Sequence, residues 1–193
     1  RAIYLHPSAQ VVVPQSDEFV KAGNSAPKYN LGWGNTFTYK GLSLGCLFTA
    51  RVGGIVVSQT QATMDAFGAS KATADARDHG GALVNGRPID AEAYYTTIGG
   101  SGSQGGIGSM YVYSATNVRL AELSLGYDIP INRYVNWIKG LNVSFIGKNL
   151  FFLYRKAPFD PELTASTGTY FQGIDMFMSP SLRNLGFSVK VNF

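Results

Sequence analysis

The sequence predicts an all-β protein built around about five amphipathic strands. Three observations carry that prediction. Apolar and polar residues alternate with a period of two in five separate runs. The connections between these runs alternate short and long. The chain has 23 Gly, 11 Tyr and 12 Phe but only 15% charged residues, a composition of strands and turns.

Residues 1–28 read as irregular, because Pro7, Pro14 and Pro27 interrupt any long element. The first run, YNLGWGNTFTY, covers residues 29–39. Tyr29, Leu31, Trp33, Phe37 and Tyr39 share one face, and Asn35 interrupts it once. Asn30, Gly32, Gly34, Thr36 and Thr38 share the other. The second run, LSLGCLFTARV, covers residues 42–52. Leu42, Leu44, Cys46, Phe48, Ala50 and Val52 oppose Ser43, Gly45, Thr49 and Arg51, with Leu47 as the exception. Only Lys40 and Gly41 separate the two runs, which predicts a tight hairpin.

Residues 53–114 carry helix signals instead. TQATMDAF is closed by Gly68, Ser70 caps KATADARD, and Asp90 caps AEAYYTTI. MYVYS then reads as a short strand. The third run spans 118–129, where Ala121, Leu123, Leu125, Tyr127 and Ile129 alternate with Glu122, Ser124, Gly126 and Asp128. A short linker, PINRYVNWIKG, leads to the fourth run at 141–152. There Leu141, Val143 and Phe145 oppose Asn142, Ser144 and Lys148. A long irregular stretch, 153–180, precedes the fifth run at 182–193, in which Phe187, Val189, Val191 and Phe193 alternate with Ser188, Lys190 and Asn192.

Size and composition narrow the class further. A chain of 193 residues has room for one ordinary domain with a sizeable core. Hydrophobic residues make up 45% and mean hydropathy is +0.01, so the chain reads neither as disordered nor as a helical membrane protein. No stretch approaches the ~20 apolar residues of a spanning helix. The net charge of +4 is scattered, without the basic runs and interleaved aromatics of a nucleic-acid binder. Cys46 is the single cysteine, which rules out an intrachain disulfide and reads as a small buried or lipid-facing residue. The start at Arg1, without Met or signal peptide, suggests a C-terminal piece of a longer protein.

Strands of ~9–12 residues have the length to cross an outer membrane when tilted. Short turns on one side and long loops on the other are the connection rule of transmembrane β-barrels. Periodicity alone does not say which face meets water. The alternative is a soluble β-sandwich that binds carbohydrate, with the apolar faces inside.

The motif blocks add a family resemblance. In order they are TYKGLSL, RVGGIVVSQTQATMDAFGASKATADARDHGG, ATNVRLAELSLGYDIP, IGKNLFFLYRKAPFDPEL and the terminal strand. Over about residues 27–193 this resembles the C-terminal end of a SusC/RagA-like TonB-dependent outer-membrane transporter of Bacteroidetes type. The resemblance implies a 22-stranded barrel with a plug, importing glycans or peptides. It implies TonB as energy source, a SusD-like surface lipoprotein as lid, and the outer-membrane assembly machinery as a further partner. Residues 29–193 would then be the C-terminal barrel segment, and 1–28 an extracellular loop or preceding-strand region. Counting back from a periplasmic C-terminus, 53–114 and 153–180 are extracellular, while 40–41 and 130–140 are periplasmic turns. A C-terminal aromatic resembles an assembly signal, carried here by Phe187, Val189, Val191 and Phe193.

Candidate residues follow from this placement. Tyr94, Tyr95, Tyr111 and Tyr113 lie in or near the large loop. Aromatics there stack on ligand, contact a lid, or pack the loop's own core. Arg51 and Lys148 sit on polar strand faces, as lumen charges that hold a plug or bind anionic solute. Tyr39, Tyr134 and Trp137 serve as interfacial anchors or as ordinary turn packing. GSGSQG matches G-x-G-x-x-G, but a helix precedes it and a strand follows, which is the reverse of a dinucleotide site. His6 and His79 show no zinc spacing. Asp160 and Glu162 flank Pro161 and read as a structured turn before a hydrolytic pair or calcium site. Asp75 and Asp78 read as a solvated helix face before a calcium site, and Asn142-Val143-Ser144 is discounted for glycosylation. No enzyme activity and no cofactor is expected.

Overall fold

The structure is a computed structural model and describes residues 3–5, 12–14, 21–101, 104–131, 137–163, 168 and 171–192. His6, Gly102, Tyr134 and Phe193 lie outside the described residues. Two compact units interleave along the chain. A loop unit takes Arg1–Ser25, Ile55–Ser114 and Glu162–Met178, and a sheet unit takes Ala26–Gly54, Ala115–Pro161 and Ser179–Phe193.

The sheet unit is built on a five-stranded antiparallel sheet. Its strands are β1 (Tyr29–Tyr39), β2 (Leu42–Val52), β3 (Asn117–Ile129), β4 (Gly140–Arg155) and β5 (Asn184–Asn192). Each pairs with its neighbour in sequence order, giving an up-and-down meander. β4 runs to Arg155, three residues past the run read from alternation. The β1–β2 connection is the two-residue hairpin expected. Lys40 (φ 47) and Gly41 (φ 85) both adopt positive φ, the geometry of a type I′ turn. The Gly41 carbonyl then accepts from the Asp128 amide at 2.8 Å, tying the turn to β3.

Register fixes which side chains share a face. Leu125 lies opposite Leu44 on one side and Phe145 on the other. Phe37 and Phe187 continue that row to the two edges. Tyr39, Leu42, Tyr127, Val143 and Val189 form the next row. The opposite face carries Ser43, Gly45, Ser124 and Ser144 in the same way.

β3 departs from simple alternation. Its ladder shifts between Leu120 and Glu122, so Ala121 has no cross-strand partner. Such a bulge inserts one residue and moves the following side chains to the other face. The phase that groups Ala121 with Leu123 therefore fails on the N-terminal side of the bulge. Leu120 pairs with Phe48 and joins the apolar face, while Arg119 pairs with Thr49 and joins the polar one.

The loop unit is organised by short helices with side-chain caps. α1 (Gln59–Ala66), α2 (Lys71–Asp78) and α3 (Ala91–Gly99) begin at Ser58, Ser70 and Asp90. Each cap oxygen accepts from a backbone amide of the first turn, at 3.0, 3.2 and 2.9 Å. The strand at Ile55–Ser58 pairs antiparallel with Val112–Ser114 and parallel with Ile174–Asp175. MYVYS is only partly a strand, because Met110 and Tyr111 belong to a 3-10 turn, Gly108–Tyr111. Ile3–Leu5 and Val12–Pro14 form a short ladder within the stretch read as irregular. Pro14 sits at its end, where a missing amide is tolerated.

Candidate functional site

The sheet presents two faces of opposite chemistry. On the apolar face, Trp33 and Phe37 are each 59% exposed and Phe187 is 70% exposed. Burying one such side chain is worth about 1.5–3 kcal/mol. A continuous exposed surface of this kind calls for an apolar medium or a partner. A β-sandwich would cover it with a second sheet, and among the described residues nothing does. No helix among them is long and apolar enough to cross a membrane, which says nothing of strands.

The polar face holds the expected charges. Arg51 stands opposite Asn30 and Asn117. Lys148 Nζ lies 3.7 Å from Glu122 Oε2 across the β3–β4 ladder. Both side chains are well exposed, so this pair contributes little.

A buried polar knot lies at the end of the same face, and sequence reading missed its centre, Arg119. The bulge turns Arg119 inward. Its Nη2 contacts Asp160 Oδ1 at 3.0 Å and Oδ2 at 3.2 Å, and its Nη1 donates to Asn149 Oδ1 at 3.3 Å. The guanidinium carbon lies 4.3 Å from the Phe152 ring centroid. Ser181 Oγ also donates to Asp160 Oδ2. Both members of the ion pair are buried. Desolvating two charges is costly, and the hydrogen bonds from Arg119 to Asn149 and from Ser181 to Asp160 offset part of that cost. Asn149 takes a positive φ of 52, which Asn tolerates better than most residues. Asp160 thus anchors a turn, as the adjacent Pro161 foretold. A lone Arg inside the apolar run VRLAEL was the available signal for Arg119.

The four tyrosines lie in the loop unit. Tyr111 is 4% exposed and belongs to its core with Ala62, Val84, Ile89, Ile98 and Ile107. Its hydroxyl donates to Asp65 Oδ2 at 3.0 Å. Burial first, and then the Asp65 charge, push its ionisation above the ordinary tyrosine range. Tyr94 and Tyr95 pack against this core edge to face, with centroids 5.0 Å apart. Tyr95 also donates to the Ala72 carbonyl at 3.2 Å. Tyr113 pairs with Val56 in the small ladder. Burial and Asp65 raise the ionisation of Tyr94, Tyr95 and Tyr113 too.

Other candidates are placed as follows. Asp75 and Asp78 lie on α2. The Gly100–Ser101 and Gln104–Gly105 segments pair as a small hairpin after α3. Trp137 and Tyr39 are exposed, with the Lys40 ammonium 5.3 Å from the Tyr39 ring centroid. Phe187, Val189 and Val191 lie on β5 and are exposed.

Solved structures share this arrangement. The RagAB peptide importer in its 'open-open' state superposes with a TM-score of 0.67 at 18% identity, over 97% of this chain and 20% of that one. Its 'closed-closed' state gives 0.60 at 18% identity, over 96% of this chain and 20% of that one. In fold, the chain resembles these structures. At this identity the likeness establishes fold. In sequence, the chain is similar to TonB-dependent receptor P3 of Formosa agariphila, 29% identical over 119 residues, covering 56% of this chain and 10% of that protein. No protein-family model matches. The chain spans about a tenth of that relative and a fifth of those structures.

Proposed function

We propose that the chain is the C-terminal barrel segment of a TonB-dependent outer-membrane importer. The observation that carries this reading is the uncovered apolar face of the sheet, backed by polar residues on the reverse. In a barrel of 22 strands the first face meets lipid and the second lines a plugged lumen. Residues 53–114 and 153–180 are the extracellular loops, and the 40–41 and 130–140 connections are periplasmic turns. The chain performs no bond chemistry. Import is binding and gating, with an oligosaccharide or peptide as solute, TonB acting through other parts of the protein, and a SusD-like lipoprotein as lid. Arg51 and Lys148 face the plug side. Tyr94, Tyr95 and Tyr113 support the loop surface on which solute or lid rests, and Tyr111 holds that surface from within. Phe187, Val189, Val191 and Phe193 form the assembly signal.

Fractionation of cells making the full-length protein tests this reading. The expected result is recovery from the outer membrane only with detergent. Recovery in the soluble fraction would refute it. Removing Phe193 should lower the surface level of the full-length protein, and an unchanged level would remove the assembly role.

A further inference from the structure

One cleft on the sheet unit has a chemistry that the barrel architecture does not require. β5 pairs with β4 only as far as Asn184 opposite Lys148. Beyond that point β4 continues to Arg155. A cleft of about 320 Å³ lies there, lined in part by Arg119, Phe152, Arg155, Ser181 and Arg183. Among the described residues, no acidic residue lines it. Arg119 is neutralised by Asp160. Arg155 and Arg183 are held by uncharged groups instead. The Arg155 guanidinium carbon lies 5.6 Å from the Phe152 ring centroid. Arg183 Nε donates to the Leu150 carbonyl at 2.8 Å.

Two guanidinium groups in one cleft repel each other unless an anion lies between them. Here each is positioned by contacts that leave terminal N–H groups available. Arg183 spends Nε on the carbonyl, so its two Nη groups keep the fork geometry that matches a carboxylate. Arg155 lies over an aromatic ring, a contact that does not consume its donors. Ser181 adds a hydroxyl at the cleft wall. Arg155 pairs with Asn117, and Phe152 pairs with Arg119. Arg155 and Arg119 therefore belong to the polar face, where the proposed import reading places solute rather than lipid.

We infer that this cleft binds a carboxylate group of the transported solute, with Arg155 and Arg183 as its two cationic contacts. The inference rests on the import reading for where the solute arrives. The carboxylate is either the C-terminus of a peptide or the acid group of a uronate in an oligosaccharide, and both present the same planar anion.

The test uses the full-length receptor purified in detergent and titrated by calorimetry. One arm compares short peptides bearing a free C-terminal carboxylate with the same peptides as C-terminal amides. The other compares a galacturonate oligomer with a neutral galactose oligomer of equal length. In one arm the acid should bind at least about tenfold more tightly than its neutral twin, the scale of one charge-assisted hydrogen bond. That arm identifies the source. Arg155→Gln together with Arg183→Gln should abolish the preference, and Arg155→Gln alone should reduce it. The single variant leaves the Arg183–Leu150 hydrogen bond in place and guards against a folding defect. Equal binding of acid and neutral forms in both arms, or no binding in either, would overturn the inference. So would a preference unchanged in the double variant. Competition by inorganic phosphate but not by acetate would also overturn it, assigning the cleft to a phosphate-bearing ligand. Soluble fractionation would sink the import reading by itself, whereas this titration reads the cleft independently of where the protein resides.

Discussion

The two units of this chain treat apolar side chains in opposite ways. Of the twelve buried apolar residues described, nine belong to the loop unit. Of the twenty-seven large apolar residues described as exposed, twenty-one belong to the sheet unit. The loop unit follows the rule for folding in water, with Val84, Ile89, Ile98, Ile107 and Tyr111 gathered inside and capped helices around them. The sheet unit turns its largest residues outward and keeps charge inward, in the Arg119–Asp160 pair. Burial from water accounts for the loop unit, whereas the proposed barrel reading sets hydrocarbon against one side of the sheet.

The largest expected effect comes from breaking the sheet unit's polar knot. Arg119→Ala leaves the Asp160 carboxylate buried without its cation, at a cost of about 3–5 kcal/mol. Urea unfolding of the full-length protein in lipid vesicles measures it. A loss below 1 kcal/mol would mean the knot is not the anchor of the β3–β4 end.

A paired substitution comes next and contrasts the two units directly. Leu125→Arg places a cation in the apolar rows and should cost about 2–4 kcal/mol if that face meets lipid. Phe67 is 83% exposed in the loop unit, and Phe67→Arg should stay within about 0.5 kcal/mol. Equal effects at the two positions would erase the distinction between the units.

Tyr111→Phe sharpens the picture of the loop unit. It removes a hydrogen bond to buried Asp65 and should cost about 1–2 kcal/mol, read as increased hydrogen exchange in α1 and α3. The pH dependence follows from the raised ionisation of Tyr111. The neutral phenol is favoured in the folded state, so its contribution is complete below the unfolded value of 10.0 and declines as pH rises above it. Wild-type protein should therefore lose loop-unit protection in strong alkali, and the phenylalanine variant should lose less on the same titration. Lys148→Ala is expected to have the smallest effect, about 0–1 kcal/mol, because its ion pair with Glu122 is exposed.

Much of this arrangement was legible in the sequence for local reasons. Alternation marks β1 and β2, and Lys40-Gly41 marks their turn, because both signals lie within a few residues. Ser70 and Asp90 announce α2 and α3 through the same short-range capping chemistry. The bulge at Ala121 left no local trace. Leu120 and Ala121 are both apolar, so either phase reads as a regular strand. Arg119 was consequently missed, since its partner Asp160 lies 41 residues away. Tyr111 reads as strand by type, but its packing into the loop core and its bond to Asp65, 46 residues distant, draw it into a turn. The gathering of residues 55–114 and 162–178 into one unit likewise depends on long-range contacts, among them the 2.8 Å hydrogen bond from Ser58 to Asp175.

The central claim is that hydrocarbon lies against the apolar face, and neighbouring positions on β3 test it most directly. Spin labels at Leu125→Cys and Ser124→Cys, in a cysteine-free background of the full-length protein in bilayers, report collisions with oxygen and with a water-soluble nickel chelate. The expected result is high oxygen and low nickel exposure at 125, with oxygen exposure lower and nickel exposure higher at 124. Nickel exposure at 125 equal to or above that at 124 would contradict the account.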